Sequence, residues 1–321
     1  MVKYFFLLSR GHIAEYIIKF VPSFLSAKIG MSQSQNKPSV FSYNGNIHQS
    51  NKTIFSIDNR AFRYGDGLFE SIRVINGRMP MYDLHYDRFM AGCELLKMEL
   101  PDHFSKENLL EEVNELLIAN DTTENARIRL SIFRTAGGYY LPEFNKAEYT
   151  IESRQMTESR FSLNEDGFEI DLYTDFEKPT GRFSTLKTCN ALIYVLAAIR
   201  RSEHKLDDCL LINFKSRIIE SIDSNVFLCK GTKIITPPLT EGCIAGVMRG
   251  WVINQLRNSD TYSILEESID IEDLFSTESI FLTNAIKGIR WVEKYKSKTY
   301  TKSPAAQWLS DELDRISVTL S

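Results

Sequence analysis

From Val40 onward the chain alternates short apolar runs of period two with longer runs of helical period, separated by turn residues. Ser42-Tyr43-Asn44-Gly45-Asn46-Ile47 carries an Asn-Gly hairpin signal, and Gly67 to Ile75 and Met79 to Tyr82, joined by Asn76-Gly77, read as two further strands. Asp83 to Met98 reads as a helix with Asp83 as N-cap, and Lys106 to Ala119 as a second. In Arg127 to Arg134, Ile128, Leu130 and Ile132 alternate with Arg129 and Ser131, the period of a half-buried strand. Arg154 to Glu165 has no period. The second half continues with strands at Glu169 to Tyr173 and Cys209 to Ile212, a helix over Thr188 to Ser202, and a hairpin from Ser224 to Thr236 turning at Lys230-Gly231. Gly246 starts another helix, Ser279 to Thr283 is a strand, and Ala305 to Ile316 is a closing helix. Strands and helices mix in both halves, so the pattern predicts an α/β chain. Its parts are a leader over 1–39, an α/β domain over 40–155, a linker over 156–165 and a second α/β domain over 166–321.

The leader has its own pattern. Lys3 followed by Tyr4 to Leu8 resembles the start of a secretory signal, but the apolar run is short and Ser9 to His12 interrupts it. Ile13 to Lys28 mixes Ile17, Ile18, Phe20 and Leu25 with Glu15 and Lys19, and Pro22 breaks it, so it does not span a bilayer. Two readings stay open for it: an interfacial amphipathic anchor, or residues upstream of a true start at Met31. The polar run Ser32 to Ser39 reads as a disordered leader in either case.

Composition narrows the class. The 321 residues are 43% hydrophobic and 25% charged, ordinary for a globular enzyme of two domains. A formal net charge of −4 gives no basic field for nucleic acid, and no zinc-finger spacing is present. The five cysteines are odd in number and form no C-x-x-C pair, which reads as reduced thiols in a cytoplasm. The five histidines form no metal-ligand spacing, so no metal is expected. The expected partner is a small molecule, with neither nucleic acid nor membrane.

The candidate chemistry centres on Lys187, which opens the predicted helix after a stretch punctuated by glycine and proline. A lysine becomes a nucleophile toward an aldehyde when a desolvated site near a positive helix N-terminus favours its neutral form. On a helical wheel Arg88 lies about 40° from Leu84, inside the arc of Leu84, Ala91, Leu95 and Met98. A cation on a core-facing stripe needs an anion, either a structural Asp or Glu or a phosphate; a snorkelling side chain is the third reading. The loop Gly242 to Arg249 puts glycines ahead of a helix, a geometry in which backbone N–H groups converge on an anion. Glu220, beside an apolar strand, is either an exposed alternate position or an inward carboxylate needing a cation. Together with Thr283-Asn284-Ala285, these groups offer partners for a phosphate, a protonated ring nitrogen and an aldehyde, the three handles of pyridoxal phosphate.

Six runs occur in order: Tyr64-Gly65-Asp66-Gly67-Leu68-Phe69-Glu70, His85-Tyr86-Asp87-Arg88, Leu186-Lys187-x-x-Asn190, Glu220-Ser221-x-x-Ser224-Asn225-Val226-Phe227, Gly242-x-x-x-Gly246-Val247-Met248-Arg249 and Leu282-Thr283-Asn284-Ala285. In this register the chain resembles the class IV aminotransferase family, the fold-type IV pyridoxal-phosphate enzymes. That family includes branched-chain and D-amino-acid aminotransferases and 4-amino-4-deoxychorismate lyase. The resemblance implies a two-domain fold, a small α/β domain plus a larger α/β barrel-like domain, usually in homodimers. It implies pyridoxal 5'-phosphate as cofactor, Lys187 as the Schiff-base lysine, Arg88 as the phosphate-binding arginine and Glu220 as partner of the ring nitrogen. Gly246, Val247 and Met248 would meet the phosphate, with Thr283, Asn284 and Ala285 on its other side and Asn190 as a further cofactor contact. Tyr64, Phe69, Tyr139 and Tyr140 are the expected walls of the substrate pocket.

Within the family the motifs lean toward the lyase of folate biosynthesis, which releases pyruvate from aminodeoxychorismate to give 4-aminobenzoate. Lys187-x-x-Asn190, Thr236-Pro237 and Thr283-Asn284-Ala285 resemble that subgroup. Gly137-Gly138-Tyr139-Tyr140 lacks the arginine expected after paired glycines, and Glu70 stands where lyases commonly carry a hydroxyl. Leu192 occupies the position five residues after the lysine where branched-chain enzymes carry tyrosine, and the Arg-x-His clamp of D-amino-acid enzymes is missing near Arg134 to Phe144. An amino-acid aminotransferase is the alternative, and a noncatalytic cofactor-binding paralogue is a second one.

Overall fold

The computed structural model describes residues 39–319, so both readings of the leader segment Ile13 to Lys28 lie outside the described residues. The first sheet is built from β1 (Val40–Tyr43), β2 (Asn46–Gln49), β3 (Gly67–Val74), β4 (Ala126–Arg134) and β5 (Ala147–Gln155) in the order β2-β1-β5-β4-β3, antiparallel throughout. Three helices accompany it: α1 (Arg60–Tyr64), α2 (Tyr82–Leu95) and α3 (Lys106–Ala119). Strict alternation sorts β3 and β4. Ile72, Val74, Ile128 and Leu130 face α2 and α3 and pack with Phe89, Val113 and Leu116, while Phe69, Ser71, Arg127 and Arg129 occupy the other face.

The second sheet begins with β6 (Phe168–Lys178), followed by the helix α4 (Leu192–Glu203), β7 (Asp208–Asn213), β8 (Ile218–Ser221), β9 (Asn225–Lys230) and β10 (Lys233–Thr236). It is completed by α5 (Val247–Arg257), β11 (Ser263–Glu266), α6 (Asp273–Ser276), β12 (Ser279–Asn284), β13 (Gly288–Tyr295), β14 (Lys298–Thr299) and α7 (Pro304–Thr319). The strand order is β11-β10-β9-β12-β13-β6-β7-β8, with β14 on β13, and it mixes parallel and antiparallel pairs. One face carries Ile170, Leu210, Val226, Leu228 and Leu282. The other carries Phe227 and Phe281, stacked with centroids 4.8 Å apart, beneath Met248 and Val252 of α5 and Leu309 and Leu313 of α7.

Several expectations from the pattern are corrected. Met79 to Tyr82 is not a strand: Arg78 closes a turn onto Ile75, and Met81, at φ 67°, is the N-cap of α2, so Asp83 lies in the first turn instead of capping it. The buried stripe of α2 is Tyr82, His85, Phe89, Gly92 and Cys93, whereas Leu84 and Ala91 are exposed. The wheel placed the arc wrongly because it weighted leucine and alanine over histidine and glycine, the residues that admit close packing against β3. α4 begins at Leu192, not at Thr188, because residues 187–189 spend their backbone groups on β3. The strand β5 carries no clean alternation in its second half, where Glu152, Arg154 and Gln155 follow one another, and the pattern missed it.

The junction with β3 is tight. Phe69 N–H donates to Lys187 C=O and Cys189 N–H to Gly67 C=O, each at 2.9 Å. A Cβ on Gly67 would stand 2.6 Å from Ile132 O and 3.1 Å from Cys189 Sγ, so only glycine allows this approach. Gly67→Ala is expected to cost about 1–3 kcal/mol in urea unfolding. Gly250→Ala is the control: it sits inside α5, its added methyl meets nothing within 4 Å, and a gain of roughly 0.5–1 kcal/mol is expected.

Candidate active site

Between these elements lies a cavity of about 410 Å³. It brings together Lys187, Arg88, Asn190, Glu220, Gly246, Val247, Met248, Thr283, Asn284, Ala285 and Phe69 from all the predicted runs. Three predicted pocket aromatics fall elsewhere. Tyr64 and Tyr140, with ring centroids 5.6 Å apart, line a neighbouring shallow cleft, and Tyr139 is 83% exposed on the loop beyond it. Arg60 holds that loop by donating to Gly137 O and Tyr139 O, which draws the aromatics to the α1 side.

Lys187 stands in the extended segment, with Nζ 4.6 Å from the Phe69 ring centroid. Burial pushes its ammonium down to about 8 and Arg88 adds to the shift, against the opposing carboxylates of Glu70, Glu220 and Asp223. The lowered value comes from desolvation and a neighbouring cation, and Lys187 stands ahead of α4, which begins at Leu192, instead of opening it. Near neutral pH an appreciable fraction is a free amine, able to attack a carbonyl carbon or to accept and return a proton.

Arg88 meets the structural anion among the readings open to it. Its Nε donates to Glu70 Oε1 at 2.7 Å and a second nitrogen to Glu70 Oε2, while Nη1 donates to Ala245 O at 3.0 Å. Glu70, 2% exposed, also bonds His85 Nδ1 at 2.8 Å. Burial raises the Glu70 carboxyl, but Arg88 and His85 outweigh it and hold it at about 2. His85 is pushed down by burial, against Glu70, which favours its neutral form. The guanidinium has five N–H groups, so the pairing with Glu70 aims Arg88 and leaves N–H groups for a further anion.

Opposite charges meet again at Glu220. Its Oε1 accepts from Lys178 Nζ at 2.5 Å and from Tyr194 O–H at 2.8 Å, and its Oε2 accepts from Ile244 N–H at 2.8 Å. The inward reading of Glu220 is thus the one realised. The N-terminus of α5 supplies unpaired amides at Val247 and Met248. Gly246 caps it where Asn225 packs so closely that a Cβ would stand 2.0 Å from Asn225 Oδ1. Thr283, 1% exposed on β12, has a buried hydroxyl without a hydrogen-bond partner. Two predicted residues reach the cavity with their side chains committed elsewhere. Asn190 donates to Gly65 O, and Asn284 ties the following turn through Asp223, Ser224, Ile286 N and Lys287 N.

Sequence reasoning passed over Lys178, Tyr194, His85 and the arginines of β4. The alternation of β4 held the signal for Arg127 and Arg129, because residues opposite Ile128 and Leu130 must share a face with Phe69 and Ser71. Arg129 lies 3.9 Å over the Phe69 ring, and Arg127 donates to Ser71 Oγ at 3.2 Å. Tyr194 stands two residues beyond Leu192, which is 69% exposed.

The Glu70 pair makes a pH prediction. A carboxyl held at about 2 stabilises the fold fully above its ordinary value of 4.5 and loses that contribution as pH falls from 4.5 toward 2. Over that window wild type should lose on the order of 3 kcal/mol more than Glu70→Gln, measured by urea unfolding at a series of pH values; parallel curves would refute the pairing.

A family model described as amino-transferase class IV matches residues 67–295. A Methanocaldococcus jannaschii protein with the provisional name branched-chain-amino-acid aminotransferase is 27% identical over 241 residues, covering 75% of this chain and 82% of its own. An aminodeoxychorismate lyase of Vibrio harveyi is 26% identical over 246 residues, covering 74% of this chain and 86% of its own. The branched-chain aminotransferase of Thermoproteus uzoniensis, solved with norvaline, superposes with a TM-score of 0.78 at 20% identity, covering 87% of this chain and 95% of its own, and it shows the fold to be the expected one.

Enzymes of this family use pyridoxal 5'-phosphate. The donor set fits that group: an amine for the aldehyde, a carboxylate for the ring nitrogen, and for the phosphate the α5 amides, the unpartnered Thr283 hydroxyl and Arg88. When bound, the cofactor supplies a carbonyl for Lys187 and a ring that withdraws electrons from the substrate carbon. With the matched model spanning most of the chain and its reactive groups lining one cavity, the chain belongs to the class IV amino-transferase family of pyridoxal-phosphate-dependent aminotransferases and lyases.

Proposed function

We propose that the chain is a lyase that acts on an amine carrying two carboxylates, 4-amino-4-deoxychorismate, and yields 4-aminobenzoate and pyruvate. The observation that carries this reading is the pair Arg127 and Arg129 on the cavity wall beside Phe69. Among the described residues neither makes an ion pair, and burial lowers the Arg129 guanidinium against the opposing pull of Cys189 and of Glu152 on the neighbouring strand. A partly buried cation without an ion-pair partner is costly until an anion arrives, and this applies to Arg129; Arg127 is exposed and stands beside it as a second donor. An amine with a wholly apolar side chain leaves one of them unmet, whereas a dicarboxylate can engage both. Arg88 and the α5 amides serve the cofactor, so the β4 arginines remain for the substrate.

In this reading Lys187 removes the proton from the amine-bearing carbon, and loss of the enolpyruvyl group makes the ring aromatic. Tyr194 and Lys178 hold Glu220 in place beneath. Phe69 shields one side of the lysine from water, which favours its uncharged form. A second reading, transamination of a dicarboxylic amino acid, is favoured by Glu70. It is turned toward Arg88 and His85, so the position next to Phe69 offers no hydroxyl to protonate a leaving group.

Purified protein supplied with pyridoxal phosphate and aminodeoxychorismate should form equimolar 4-aminobenzoate and pyruvate. Lys187→Ala should lower turnover by at least about 10⁴-fold, and Arg129→Met should raise KM by about 10- to 100-fold. Conversion of glutamate to 2-oxoglutarate without aminobenzoate formation would replace the lyase with the transaminase. Unchanged biological activity of Lys187→Ala would favour the noncatalytic paralogue.

A homodimer completes the proposal. Tyr139, Tyr140 and Leu141 are 83%, 91% and 83% exposed, and Leu192, Val195 and Ile199 form an exposed stripe on α4. Sedimentation equilibrium should give twice the mass of the 37.0 kDa chain, and Tyr140→Glu with Leu141→Glu should weaken the association. A wild-type monomer at micromolar concentration would reject it.

A further inference from the structure

Besides Lys187 the cavity wall carries Lys178 and Lys287, and of these two Lys178 is the buried one. Lys178 closes β6, and its side chain is 7% exposed. Its Nζ donates to Glu220 Oε1 at 2.5 Å and to Ser184 O at 3.0 Å, and it lies 5.4 Å from the Tyr194 ring centroid. Burying such a pair is a poor route to stability, because desolvating both charges costs about as much as their attraction returns. Its place in the cavity suggests a different use.

A carboxylate offers about four acceptor positions. Oε1 of Glu220 is filled by Lys178 and Tyr194, and Oε2 takes one backbone N–H from Ile244. One position on Oε2 is left. We propose that Lys178 tunes the electron-withdrawing power of the cofactor ring, an inference that rests on Glu220 meeting the ring nitrogen. Loading Oε1 leaves Oε2 as the atom that faces the ring, which fixes the orientation of the contact. The ammonium also places a positive charge behind the same carboxylate, and this opposes a proton on the ring nitrogen. Lys178 is therefore a positioning residue: it acts on the ring through Glu220, and its charge, not its bulk, is the active property.

The test uses protein reconstituted with pyridoxal phosphate, with the visible band followed from acid to alkaline pH. The midpoint of its spectral transition reports how readily the lysine–cofactor linkage loses its proton, and a proton on the ring nitrogen lowers that midpoint. Lys178→Gln keeps a hydrogen-bond donor and removes the charge, so the midpoint should fall by about one pH unit; Lys178→Arg, which keeps the charge, should hold the wild-type value. Lys178→Met gives a second uncharged variant with the same expected fall, should the glutamine protein not fold. A structural role would lower thermal stability and cofactor affinity but leave the midpoint in place, and an unmoved midpoint in a folded, uncharged variant overturns the inference. Absence of a visible band in the wild type would overturn the cofactor assignment and this inference with it, whereas a normal band with an unmoved midpoint overturns this inference alone.

Discussion

The seam between β3 and the segment around Lys187 governs everything else in this molecule. Two backbone hydrogen bonds, Phe69 N–H to Lys187 C=O and Cys189 N–H to Gly67 C=O, attach a residue of the second half to the edge strand of the first sheet. Side chains alternate along extended backbone, so once Thr188 is bridged to Leu68 the direction of Lys187 is set as well. The amine comes to rest on the Phe69 ring, with Arg88 near enough to depress its charge. Move the seam by one residue and the amine leaves the cavity.

Around that seam the cavity is organised as charge pairs with spare capacity. Glu70 aims Arg88 but does not exhaust its donors, and Lys178 and Tyr194 fill one oxygen of Glu220 but not the other. Such arrangements avoid bare buried charges before a ligand arrives, yet leave directed donors and acceptors when it does. The arginines of β4 differ, since neither makes an ion pair among the described residues and Glu152 acts on Arg129 only at longer range.

Much of this was legible in the sequence, and the failures have physical causes. The β1–β2 hairpin, β4, α3 and the β9–β10 turn follow from short-range patterns, which residues decide locally. Lys187 does line the cavity, but in another setting than expected, because a helix signal over Thr188 to Ser202 cannot reveal that β3 captures its first residues. The arc on α2 failed because hydrophobicity scales do not know that His85 will be buried by a carboxylate on a neighbouring strand. Lys178 was invisible for the same reason: it is an ordinary lysine at a strand end until tertiary packing brings it to Glu220. Tyr139 and Tyr140 fall outside the cavity because Arg60 holds their loop on the side of α1, the helix that also carries Tyr64. Side chains whose role depends on a partner from another element are those that periodicity cannot see.

One contact from the cradle bears on how such a protein can be divided. Arg88 belongs to a helix of the first sheet, yet its Nη1 donates to Ala245 O just ahead of α5, in the loop that caps the cradle of the second. The anion cradle is thus assembled from both halves, and neither sheet with its own helices contains a whole one. Modularity ends at this point. A fragment ending before β6 would keep the arginine without the amides, and one starting there would keep the amides without the arginine, so the two halves are free to diverge in sequence but not to be exchanged separately among relatives whose cradles are set at a different spacing.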